Sequence, residues 1–110
     1  MSHRLQRTSG EVAEEIAKSE RGLDARSLRL WERVRIAPEP WTQHQYPGGQ
    51  PFWVVAILGN RCLHFNDVEG GWGWGRFSEW GQVGESHCQQ DEIHHVVEQT
   101  LFAIDHGGAG

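Results

Sequence analysis

Phe52-Trp53-Val54-Val55-Ala56-Ile57-Leu58, then Gly59-Asn60, then Arg61-Cys62-Leu63-His64-Phe65-Asn66, is the stretch that decides the fold. The first seven residues are apolar without a break, the pattern of a strand covered on both sides for at least part of its length. Gly59-Asn60 is a two-residue turn whose twist suits a tight hairpin. The segment after it alternates, with Arg61, Leu63 and Phe65 on one face and Cys62, His64 and Asn66 on the other. The chain is therefore organised around a central β-hairpin.

On the N-terminal side, Ser27 to Ile36 reads two ways. Leu23, Ser27, Leu30, Trp31 and Val34 approach helical spacing. Period two places Leu28, Leu30, Val34 and Ile36 on one face and Arg29, Trp31, Arg33 and Arg35 on the other, which predicts a strand. Pro38 and Pro40 are expected to stop it, and a loop rich in Pro, Gly and Gln runs to Pro51. Earlier still, Thr8-Ser9-Gly10-Glu11 fits a capping box opening a short helix over Ser9–Glu20. Its narrow apolar side (Val12, Ala13, Ile16, Ala17) predicts a surface position, with Gly22 as C-cap. Residues 1–8 have no apolar period and are expected to be disordered.

On the C-terminal side, Asn66-Asp67-Val68-Glu69-Gly70-Gly71 has turn composition. It leads into Gly71-Trp72-Gly73-Trp74-Gly75 and a strand expected around Arg76–Val83. Asp91–Ile104 is the clearest helix. Ile93, Val96, Val97, Leu101 and Ile104 form one stripe, Glu92, Glu98 and Gln99 lie away from it, and Asp91 and Glu92 suit the positive end of the dipole. Residues 106–110 are expected to form a flexible tail. The expectation is a single α+β domain over residues 9–105. It has a short N-terminal helix, an antiparallel meander of three to four strands containing the Gly-Asn hairpin, and a C-terminal helix packed on the sheet.

At 110 residues the chain has material for one hydrophobic core and none for a second catalytic domain. Its longest apolar run falls far short of the roughly 20 residues of a membrane-spanning helix. The N-terminus has no apolar signal-peptide core, so a cytoplasmic location with no membrane partner is expected. Cys62 and Cys88 are the two cysteines, and they read as reduced thiols rather than a disulfide framework. The net charge of −5 is unevenly spread: residues 1–38 carry eight Arg/Lys and six Asp/Glu, residues 39–110 two and nine. Such an acidic field repels phosphate backbones and attracts basic partners, which disfavours nucleic acid as a ligand. It also keeps a small protein soluble.

Six tryptophans are present, and Trp72, Trp74 and Trp80 fall within nine positions. In an extended Gly-Trp-Gly-Trp-Gly segment both indoles project to one face and only glycine hydrogens to the other. Those indoles either roof the sheet, with the glycines allowing close approach, or form a shelf for a partner or ligand. No helix opens on the last glycine, so a dinucleotide loop is not indicated. Cys62 and His64 share a strand face, and His87-Cys88 precede the C-terminal helix. The four make a candidate zinc set, although their spacing matches no structural zinc module. His94 and Glu98, one turn apart, form either an acid/base couple or a solvated contact. Asn66, Asp67 and Glu69 crowd oxygen atoms into a turn that lacks the calcium-loop pattern. No nucleophile elbow or protease-like cysteine context is present, and the balance leans against an enzyme.

The residues Leu30-Trp-Glu-Arg33, Phe52-Trp-Val-Val55 with Gly59-Asn60, Asn66-Asp-Val-Glu-Gly70, Phe77 with Gly81, and Cys88-Gln-Gln-Asp-Glu-Ile93 resemble a group of small bacterial proteins of unknown function. The resemblance spans Leu30–Leu101. It implies a compact bacterial single domain and carries no catalytic assignment. In size, acidity and architecture the chain is also similar to immunity proteins that neutralise basic toxins. The expected function is a non-enzymatic protein-binding module that docks a basic partner through Asp67, Glu69, Trp72, Trp74 and Trp80. The alternative is a metal- or small-ligand-binding protein using Cys62, His64, His87 and Cys88. Either a monomer or a homodimer that buries the aromatic shelf is compatible with this.

Overall fold

Phe52–Leu58 (β2) pairs antiparallel with Arg61–Asn66 (β3) across Gly59-Asn60 in a computed structural model that describes residues 8–46, 48–66, 70–86 and 91–106. Gly59 has φ +63°, as the first central position of a type II′ turn demands. The register slips between Val54 and Ala56. This β-bulge makes Val55 an extra residue, so Val54 faces one side of the sheet and Ala56 the other. The unbroken apolar run thus serves two cores.

Gly71–Arg76 (β4) adds antiparallel to β3, and Arg35–Gln43 (β1) adds antiparallel to β2. Gln82–Val83 (β5) joins β1 in parallel at Thr42 and Gln43, giving the order β4-β3-β2-β1-β5. The fold is α+β as expected, but the sheet is five-stranded and mixed rather than an antiparallel meander of three to four strands. It is also curled. Past β5 the chain returns to β4, where Gly84 N–H donates to Arg76 O at 2.7 Å and Arg76 N–H to Glu85 O at 2.8 Å. Gly75 and Ser86 form a bridge there, so the two sheet edges are joined through residues 84–86.

Three local expectations are corrected. Of the strand expected over Ser27–Ile36, only Arg35 and Ile36 are extended, as the start of β1; Ala25–Val34 is a helix (α2), opened by Asp24, whose carboxylate accepts from Ser27 N–H at 2.8 Å. Its buried residues, Ser27, Trp31 and Val34, follow the 3.6-residue period. Second, Pro38 and Pro40 do not stop a strand, since β1 runs through both. Thr42 N–H points outward to Gly81 O at 2.9 Å, so Pro40, two residues back, aims its missing N–H toward the same side. There β5 does not reach, and a proline is tolerated on such an edge. Third, the strand expected over Arg76–Val83 divides into the end of β4, a turn, and the two residues of β5.

Ser9–Arg21 (α1) begins with the expected capping box: Glu11 N–H donates to Thr8 Oγ1 at 3.1 Å and Thr8 N–H to Glu11 Oε1 at 2.8 Å. Gly22 is its C-cap. Val12 and Ile16 are buried while Ala13 and Ala17 are exposed, so a narrow stripe ties α1 to the core. Ile93–Asp105 (α3) buries Ile93, Val96 and Val97, with Glu92 as an N-cap residue that makes no side-chain cap. The three helices cover one sheet face over a core that includes Trp31, Leu63, Phe65 and Trp72. A second core, built on Trp41, Phe52, Val54, Cys62 and Val83, fills the inside of the curl. No helix among the described residues is long and apolar enough to cross a membrane.

Candidate functional site

The Gly-Trp-Gly-Trp-Gly run is β4 itself, and it obeys the predicted alternation. Both indoles lie on the helix side, and that side is covered. Trp72 is 2% exposed and its indole N–H donates to Glu15 Oε1 of α1 at 3.2 Å. Trp74 is half-buried and donates to Thr100 Oγ1 of α3 at 2.8 Å. The two indoles thus fasten helices to the sheet, and Trp80 lies apart from them against Trp41 and Phe77. Asp67 and Glu69, the acidic members of the expected surface, lie outside the described residues.

The glycine face of β4 turns inward, where His64 packs against it. A Cβ at Gly75 would stand 2.6 Å from Glu85 O and 2.8 Å from His64 Nε2, so the glycine is what leaves room for both the imidazole and the closing strand. His64 is fully buried and stacks on Phe52 with ring centroids 5.1 Å apart and planes 8° from parallel. Burial pushes its pKa down to about 4. Cys62 is buried on the same inner face. His87 and Cys88 lie outside the described residues, and among the described residues no three His, Cys, Asp or Glu side chains gather as a metal would require. His94 turns toward Glu92, with Nδ1 and Oε1 3.8 Å apart.

The most exposed aromatic group of the inner-core side is built around Trp80. Glu79, Trp80, Gly81 and Gln82 form a tight turn in which Gln82 N–H donates to Glu79 O at 3.2 Å. Gly81 has φ +94°, the conformation that the third position of a type II turn reserves for glycine. Trp80 is left at the tip, 58% exposed. Its indole is held from beneath by Trp41, with ring centroids 5.1 Å apart, and flanked edge-on by Phe77 at 6.1 Å. One carboxylate oxygen fixes the arrangement: Glu39 Oε1 accepts from Trp41 Nε1 and from Trp80 Nε1, each at 3.0 Å. Trp41 itself is 1% exposed, so a buried ring anchors an exposed one.

Trp80 was legible in the sequence as a candidate, whereas Glu39, Trp41 and Phe77 were not. Glu39 and Trp41 are two residues apart on one strand face. A strand ended at Pro38 hides that relation. Compared with protein-family models, with curated proteins and with solved structures, the chain matches none of them.

Proposed function

We propose that this protein is a non-catalytic binding module that docks a basic protein partner through the Trp80 surface. The observation that carries this reading is an indole more than half exposed yet fixed by a hydrogen bond and two aromatic contacts. A side chain already held in place loses little rotamer freedom on binding, and exposed tryptophans of this kind are typical energetic anchors of interfaces. Glu79 beside it is exposed and Glu39 is partly so, which supplies the charge that would steer a basic surface onto the indole. A neutraliser of a basic toxin is one member of this class.

Immobilised wild-type and Trp80→Ala proteins, both checked for folding by circular dichroism, would be incubated with lysate of the source organism at low and high salt. The expected result is a basic protein held stoichiometrically by the wild type and released by salt. The variant should bind it at least about tenfold more weakly, as loss of an interface anchor implies. Equal retention by the two proteins, or no stoichiometric partner at low salt, would remove the proposal.

A further inference from the structure

We infer that the groove between β4 and α3 binds a small oxyanion-bearing ligand, a carboxylate or a phosphate monoester, through Arg61 and Arg76. This does not depend on the Trp80 surface. Residues 39–110 contain only these two cations, against nine carboxylates. The sheet register sets them directly opposite each other, Arg61 on β3 and Arg76 on β4. Like charges in that position work against the strand pairing, and an opposite charge or a polar residue would serve the sheet better. Arg76 is exposed and makes no ion pair among the described residues.

The two arginines also line one cavity of about 260 Å³, together with Trp74, Asp91, Val96 and Gln99. Trp74 and Val96 give it an apolar wall, and that wall is pre-formed because the indole N–H is tied to Thr100. Two guanidinium groups in register present forked donors to an oxyanion, a match that single ammonium groups do not offer. Asp91 contributes one carboxylate, which leaves the lining with a net positive charge and an acceptor for a donor group elsewhere on the ligand. Gln99 adds an amide. The groove has room for a small ligand. A polyanion such as nucleic acid would meet the acidic remainder of the surface.

The test is a titration of ¹⁵N-labelled protein with sodium phosphate and, separately, with sodium succinate, each against sodium chloride at matched ionic strength. The signals followed are the Trp74 indole N–H and the Gln99 side-chain amide. Saturable shifts with phosphate alone assign a phosphate ligand, and saturable shifts with succinate alone assign a carboxylate. Arg76→Gln should weaken the effect at least about tenfold, since it removes one charge-assisted donor set. Arg33→Gln, on the far exposed side of α2, should leave it unchanged. Without ligand, the melting temperature of Arg76→Gln should equal or exceed that of the wild type, because the opposed charges are gone. Shifts that do not saturate or that chloride reproduces would show charge screening only, and saturable shifts of unchanged strength in Arg76→Gln would place the binding elsewhere; each of these would overturn the inference.

Discussion

His64 shows how one buried side chain imposes a pH dependence on the whole chain. Gly75 has no Cβ to displace it, Phe52 stacks on it, and water does not reach it. Burial disfavours the imidazolium, so the folded-state pKa falls to about 4 from the ordinary 6.5. Between those values the unfolded chain binds a proton that the folded chain does not, and stability therefore declines as pH is lowered. The contribution is fully present above about pH 6.5 and gone below about pH 4, and by linkage it amounts to roughly 3 kcal/mol. Urea unfolding from pH 8 to pH 4 is expected to show this decline, and His64→Gln should flatten it. Should that variant fail to fold, the imidazole can be titrated directly by NMR in the wild type. A His64 pKa near 6.5 would contradict the account.

Individual elements differ in how far the sequence discloses them, and the differences have physical causes. The β2–β3 hairpin, α1 and α3 are legible because each carries its own local instruction: a Gly-Asn turn, a capping box, an apolar stripe. The helical reading of α2 loses to period two because its stripe is sparse. Of its ten residues, only Ser27, Trp31 and Val34 are buried, and Asp24 as an N-cap is the cue that decides between the two patterns. β5 is illegible because it has just two residues and pairs with β1 across a long sequence separation. The same brevity predicts that the closure of the sheet is its weakest part. Thr42, Arg76 and Gly84 donate the bonds that close the curl, and all three residues are exposed. Their amides are expected to exchange with solvent by local opening, with protection at least about tenfold below that of the β2–β3 pairing. Equal protection in native-state hydrogen exchange would mean that the seam opens only with the whole fold.

Across the whole molecule, the two cores share a wall. Strand β3 sends Leu63 and Phe65 to the helix side and Cys62 and His64 to the inner side, and the bulge at Val55 lets β2 serve both. Neither core has a sheet of its own, so loss of one removes the surface against which the other packs. A single cooperative transition is therefore expected. The tryptophans supply built-in reporters, since Trp31, Trp53, Trp72 and Trp74 belong to the helix side while Trp41 and Trp80 stand on the other. In a Trp41→Phe, Trp80→Phe double variant, all tryptophan emission arises from the helix side, whereas the far-ultraviolet circular dichroism still averages over strands and helices. Urea midpoints from the two signals within that one variant should coincide, even if the substitutions lower its stability. A fluorescence transition that precedes the dichroism would mean that the helical layer detaches from a surviving curled sheet. In that case the bulged hairpin would be a contact between two semi-independent parts, and the Trp80 surface would be carried by a sheet that does not need the helices.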